Sequence, residues 1–279
     1  MPVPMPIFEN SYTVLKRCKH GFFLFNKNDT FVGRSLNLYG EWCEDELVSL
    51  SKVVRPGFFA IDVGANIGTH TIPLANLVTH SGLVLAFEPQ SLSFRYLVSN
   101  VTINNLLHVV CFNKAVGELT GSVKIPLVDP TIESNAGAMK ASGQTEGIPT
   151  DVVTLDSFAL NKCNLIKIDV EGMEPQVLDG ARTTIRKLRP IIFVETTMEN
   201  ARDVIQRLAD FRYESWWHIS AYYNANNFFK NPDNVFADIH PETNLICFPK
   251  EANSRITGLE KVRGIDDNWR AALERMRSR

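Results

Sequence analysis

Apolar and polar positions follow two periods along the chain. Six short apolar runs predict buried strands of a mostly parallel sheet: FFAIDV (58–63), LVLAFE (83–88), HVVCFNKAV (108–116), NLIKIDV (164–170), PIIFVE (190–195) and NLICFP (244–249). Between most of them, apolar residues recur at helical spacing. Ile72, Ala75 and Val78 form one stripe, and Phe94, Leu97, Val98 and Val101 a second. Val177, Ala181, Ile185 and Leu188 form a third, which Pro190 ends, and Val204, Ile205, Leu208 and Phe211 a fourth. Strand–helix alternation predicts an α/β fold with a doubly wound, mostly parallel sheet and an antiparallel edge strand. Ligands of such sheets bind beyond the carboxyl ends of the strands.

Three regions depart from the alternation and set the expected boundaries of a core at 58–250. Residues 1–57 read as a lead-in packed on the core. They contain a hairpin, FFLFNKNDTFVG, and a helix near 44–54 with Glu44, Asp45 and Glu46 in its first turn. Residues 117–160 read as an insertion carrying a hairpin and a loop. Residues 215–243 are rich in Asn and aromatics, a poor strand and a poor helix, which predicts a long ordered loop serving the acceptor. The tail, 251–279, is charged and reads as a solvated helix near its end.

Composition narrows the class without changing it. The 279 residues are 44% apolar and 22% charged, ordinary for a globular enzyme. A net charge of −2 gives no reason to expect nucleic acid as a partner. No apolar run reaches the ~18 residues of a membrane span, so no integral membrane segment is expected. MPVPMPIFEN has neither the basic nor the apolar part of a signal peptide. The five cysteines (Cys18, Cys43, Cys111, Cys163 and Cys247) include no CxxC pair. They read as free thiols of a reducing, cytoplasmic setting. The oligomeric state, homodimer included, is left open.

The candidate chemistry begins where the first strand ends, in IDVGANIGTHT. A dinucleotide fingerprint needs G-x-G-x-x-G. Here Gly64 takes the first place, but Asn66 and Thr69 take the next two, which disfavours a pyrophosphate. No Lys-Ser/Thr pair follows, so a P-loop is excluded. The loop suits a smaller anion at a helix N-terminus, such as the α-carboxylate of S-adenosylmethionine, with its ammonium beside Asp62. Gly64 admits close backbone approach and Gly68 a tight turn. His70 and Thr71 add donors. The second strand ends in LAFEP, and Glu88 is placed to accept both hydroxyls of a ribose. The third ends at Asn113 to Ala115, near an adenine.

The fourth strand ends in carboxylates: Asp169, Glu171 and Glu174 fall within NLIKIDVEGMEP. Methyl transfer to a hydroxyl requires an aligned acceptor that loses its proton, and a carboxylate serves as such a base. The same acids, with Glu195, also suit a divalent metal that acidifies the acceptor. Both cases stay open. His218, in the Asn/aromatic segment, is the other candidate base.

IDVGANIGTHT, LAFEPQ, VTLDSF and IKIDVEGMEPQVLDGA resemble the FkbM family of S-adenosylmethionine-dependent methyltransferases, as do YNANNFF, PDNVF and NLICFP further on. The resemblance covers roughly residues 40–249. It implies a Rossmann-like class I methyltransferase fold and an oxygen acceptor on a sugar, glycan or natural product. Carried over by position, the donor site comprises Asp62, Gly64, Asn66, Gly68, Glu88 with the following Pro89, and Ala115, with Asp169 near the transferred methyl. YGEW (39–42), with Glu41, is similar to the family's lead-in and is expected over the methionine end of the donor. SNAGAMK (134–140), with Asn135, is expected beside the acceptor, as are Tyr223 and Asn227 of the YNANNFF string. Three other readings stand beside this one, of which a nucleic-acid methyltransferase is disfavoured by the near-neutral charge and by the missing N/D-P-P-Y/F motif after the fourth strand. A nicotinamide-dependent oxidoreductase requires the missing glycines and a Tyr-x-x-x-Lys pair; a catalytically silent S-adenosylmethionine-binding module requires only the donor loop.

Overall fold

The computed structural model describes residues 4–278 except 136 and 138–145. Strands β1 (Phe8–Glu9), β2 (Thr13–Cys18) and β3 (Gly21–Asn26) form a small antiparallel sheet. The hairpin joins β2 to β3 and lies upstream of the predicted one. The end of FFLFNKNDTFVG does not return as a strand. The Asp29 carboxylate accepts the Phe31 N–H at 2.9 Å, which turns the chain into helix α1 (Val32–Tyr39). Helix α2 (Glu44–Val53) follows, as predicted.

The core then alternates β4 (Phe59–Val63), α3 (Thr71–Val78), β5 (Leu83–Phe87), α4 (Ser91–Ile103) and β6 (Val109–Phe112). The predicted run 108–116 divides here. β7 (Ala115–Val116) leaves the main sheet and pairs with β9 (Ile148–Val153), which also pairs with β8 (Gly121–Ile125). The alternation resumes with β10 (Leu165–Ile168), α5 (Glu174–Asp179), α6 (Arg182–Leu188), β11 (Ile191–Glu195) and α7 (Ala201–Asp210). It closes with β12 (Tyr213–Ser220), β13 (Glu242–Pro249), β14 (Glu260–Lys261) and α8 (Trp269–Arg277).

Eight strands form one sheet in the order β14-β12-β13-β11-β10-β4-β5-β6. From β11 to β6 every pairing is parallel; β13 runs antiparallel to both its neighbours, and β14 is an antiparallel edge strand. β12 corrects the expectation for 215–243. Its first residues are a strand, and only 221–241 remain a loop between β12 and β13. The misreading has a physical cause. β12 is covered on both faces, with Trp216 and Trp217 5% and 0% exposed, so it shows no alternation of apolar and polar residues.

The sheet separates two apolar clusters. One holds Leu47 and Leu50 of α2, Ile72 and Ala75 of α3, and Leu97 of α4. The other holds Val177 of α5, Ile185 of α6, Val204 of α7 and Ala272 of α8. Strand residues divide between them by parity: Leu165 faces the first, Ile166 and Ile168 the second. By the same parity Lys167 lies on the first side and pairs in register with Asp62 of β4. The five cysteines are free thiols. Among the described residues no helix is long and apolar enough to cross a membrane.

Candidate functional site

A cavity of about 510 Å³ opens at the carboxyl ends of β4, β5, β10 and β11. Its size is that of a small-molecule site. Val63, Gly64, Ala65 and Asn66 form one wall, and Glu88, Pro89 and Ala115 continue it. The loop after β4 is held tightly against β5. Gly64 N–H and Ala65 N–H both donate to the Phe87 carbonyl at 2.9 Å. Asn66 N–H and Gln90 N–H donate to the two oxygens of Glu88, at 2.8 and 2.7 Å. Gly64 has φ +82°, and a Cβ there would lie 1.6 Å from the Asp169 carbonyl oxygen, so the position admits no side chain. Burial pushes the Glu88 carboxyl up to about 7, against the pull of the Gln90 and Asn66 N–H groups.

Several of these N–H groups are therefore occupied by the protein itself, a correction to the loop as an open anion cradle. Asp62 is a second correction. It is fully buried and does not line the cavity. Its Oδ2 accepts the Thr71 hydroxyl at 2.6 Å, and its Oδ1 lies 3.6 Å from Lys167 Nζ. Asp62, Thr71 and Gly68 thus shape the loop from behind. Gly68, at φ +94°, turns it into α3 over Leu97.

Beyond that wall the cavity is rich in carboxyls. Asp169, Glu171, Glu195, Glu242 and Glu46 all line it. Lys167 Nζ stands 3.0 Å from Asp169 Oδ2. Burial alone would raise the Asp169 carboxyl, but the Lys167 charge outweighs it and holds Asp169 below the ordinary range. Lys167 answers in kind. Burial would lower it, yet Asp169, Asp62 and Glu46 hold it raised and charged. Glu195 and Glu242 move the other way. Burial, then the charge of Asp169 on Glu195 and of Glu46 on Glu242, pushes both well above the ordinary range. The site thus sets a carboxylate held low by a lysine beside carboxyls that burial and neighbouring charge drive toward the neutral form.

Glu174, the remaining acid of the IDVEGME string, does not enter the cavity. Its Oε1 accepts the N–H groups of Val170 and Gly172 at 3.0 and 3.1 Å, and its Oε2 the Asn200 amide at 2.6 Å. It pins the turn that presents Asp169 and Glu171. His70 lines the cavity with its Nε2 3.0 Å from Glu46 Oε2, off the hydrogen-bond axis. Asn244 donates to the other Glu46 oxygen at 2.9 Å.

Four further expectations are corrected by placement. His218 lies on strand β12, is 4% exposed, meets the Asp45 carbonyl at 3.2 Å and does not line the cavity. Glu41 accepts the Asn224 amide and the Phe228 N–H at 2.7 and 2.9 Å, so it fastens the 221–241 loop rather than facing the donor. Asn227 is fully buried and bridges Asn224 and Asn231. Tyr223 donates to the Asn231 and Pro232 carbonyls. Its neighbour Tyr222 lines the cavity instead, as does Trp42 of the YGEW string. Asn135 lines the cavity; 136 and 138–140 of SNAGAMK lie outside the described residues. Sequence reasoning also missed Glu46 and Glu242. Glu46 read as an ordinary first-turn acid, and Glu242 carries no local motif. Among the described residues no group of three or more His, Cys, Asp or Glu side chains is placed to hold a metal ion, so the divalent-metal reading of the acids gains no support.

The strand order, with β13 inserted antiparallel, and a cavity at the carboxyl ends of β4, β5 and β10 define a Rossmann-like class I methyltransferase fold. The family described as the methyltransferase FkbM domain matches residues 62–215, more than half of the chain, and the chain belongs to that family. The nicotinamide reading falls with that match. A protein of Beauveria bassiana (strain ARSEF 2860) called Methyltransferase 1 is 28% identical over 144 residues, which are 44% of this chain and 57% of that protein. Two solved structures are looser likenesses. Methyltransferase FkbM from Methylobacillus flagellatus KT is 17% identical with a TM-score of 0.43, over 72% of this chain and 50% of that one. TYW2 of M. jannaschii in complex with AdoMet is 12% identical with a TM-score of 0.46, over 87% of each chain.

Proposed function

We propose that the protein transfers the methyl group of S-adenosylmethionine to a hydroxyl of a small-molecule acceptor: a sugar, a glycan or another natural product. The observation that carries this reading is the convergence of the Gly64 loop, Glu88 and Asp169 on one cavity. The residues fit the donor. Glu88 keeps lone pairs for a ribose diol beyond its two backbone bonds, and Asn66 Oδ1 has no hydrogen-bond partner among the described residues. The donor, when bound, supplies an electrophilic methyl on a sulfonium.

The chain supplies the rest. Asp169 stays ionised beside Lys167 and accepts the proton of the acceptor hydroxyl. Glu195 and Glu242, which burial drives toward the protonated form, line the same space and are assigned to contacts with oxygens of the acceptor. Neutral acids suit a hydroxyl, which both donates and accepts, better than they suit an ammonium. Glu171 lines the same space and is assigned to acceptor alignment.

Two measurements test the reading. Calorimetry is expected to show S-adenosylhomocysteine binding to the purified protein; no heat at millimolar ligand sinks the donor assignment. Asp169→Asn is expected to lower kcat by about 10²–10⁴-fold, the range of a lost general base, with donor affinity retained. Full activity in that variant removes Asp169 from the chemistry.

A further inference from the structure

The mouth of the cavity is built differently from its carboxyl-rich floor. Met173, Met198, Ile239, His240, Trp269 and Arg270 line it. Met198 and Ile239 are 48% and 39% exposed, so apolar surface is open at this mouth. Three of the others, His240, Trp269 and Arg270, are flat. The Trp269 indole has the His240 ring 6.1 Å away and the Arg270 guanidinium 5.2 Å over its face. Among the described residues Arg270 makes no ion pair, so its charge is spent on the indole alone.

Trp269 and Arg270 come from α8, which lies outside the 62–215 family match. The helix is firmly placed. Arg275 binds Asp267 at 2.8 and 3.0 Å and the buried Glu260 at 2.7 Å, and Asp267 also accepts the Trp217 indole N–H at 3.1 Å. Asn268 caps the helix through the Ala271 N–H at 3.0 Å, and Ala272 is fully buried. Trp269 and Arg270, in the first turn, are thereby fixed at the cavity mouth. The ring contact with His240, two residues before Glu242, sets Trp269 beside the end of the 221–241 loop.

We propose that the cavity mouth is a second acceptor subsite that takes a planar aromatic portion of the acceptor, stacked on Trp269 and covered by the two methionines. This rests on the methyl-transfer reading for the word acceptor; the binding itself does not. Flat groups match a flat ligand, and unbranched methionines adjust to its outline. The acceptor is then amphipathic, with its hydroxyl end among Asp169, Glu195 and Glu242 and its ring outside.

The test uses the full chain, with and without S-adenosylhomocysteine, titrated with 2-naphthol and with cyclohexanol. The expected result is that 2-naphthol binds and cyclohexanol does not, that Trp269→Ala weakens 2-naphthol by about fivefold or more, and that Trp269→Phe keeps most of the affinity. The proposal is overturned if 2-naphthol binds no better than cyclohexanol, or if Trp269→Ala binds it unchanged. It is also overturned if 2-naphthoate binds tighter than 2-naphthol and Arg270→Gln removes the difference, which makes the mouth an anion site. Loss of S-adenosylhomocysteine binding with 2-naphthol binding intact sinks the methyl-transfer reading and leaves the aromatic subsite standing.

Discussion

Gly64 shows how one residue couples the loop after β4 to the end of β10. Its missing Cβ leaves room for the Asp169 carbonyl, which lies where that atom would be. Gly64→Ala is therefore expected to cost more than the ~1–3 kcal/mol of a left-handed backbone alone, because β10 must also move away. Urea unfolding measures this, and a variant as stable as the parent would contradict the packing described. Asp62 and Lys167 show the opposite situation, in which a charge pair is buried because two parallel strands bring it into register. Asp62 was legible as a strand-end acid, yet its partner was not. Nothing local in LIKID indicates that Lys167 points at a neighbouring strand 105 positions earlier in the chain.

At the scale of elements, the strands and helices of the parallel half follow their periodicity, except that the run 108–116 divides into β6 and β7 and the stripe 177–188 into α5 and α6. The failures fall where burial is two-sided or where a turn is set by one side chain. β12 read as loop because both its faces are covered, and the first hairpin was misplaced because Asp29 redirects the chain. The tail helix was expected to be solvated. Its outer face is exposed, and it is tied down by Arg275, which pairs at 2.7 Å with Glu260, 1% exposed. Arg275→Ala is expected to cost about 1–3 kcal/mol and to speed amide exchange across 262–277 while leaving the parallel strands protected. Uniform exchange behaviour in the variant and the parent would show that α8 is held by something else.

For the whole molecule, the unequal carboxyls set a dependence of stability on pH. Glu88 sits higher folded, at about 7, than its ordinary value of 4.5. The folded state therefore binds more protons between these values. This contribution is full below the ordinary carboxyl range and is lost as pH rises through about 7. Glu195 and Glu242 act in the same direction, whereas Asp169, depressed by Lys167, contributes above the ordinary range and is lost on acidification. Stability is expected to fall between about pH 5 and pH 8, and Glu88→Gln to flatten that fall while lowering stability at every pH, since an amide nitrogen cannot accept the second N–H. A urea midpoint that rises over the same interval in the parent would refute the assignment.

By itself the sequence determined the alternating elements, the glycine loop and the acids that end β5 and β10, because periodicity and turn chemistry are local properties of a chain. It also carried the family resemblance, through strings that the 62–215 match includes in large part. Only the tertiary structure decided which polar groups share the cavity. Glu46, Tyr222, Glu242 and Trp269 reach it from segments outside the parallel core, and Asp62, Glu41, Asn227 and His218 are turned to structural partners. The physical reason is the same in each case. Whether a carboxyl binds a ligand, a lysine or a backbone N–H depends on what packing places within about 3 Å of it, and that neighbour is seldom close in sequence.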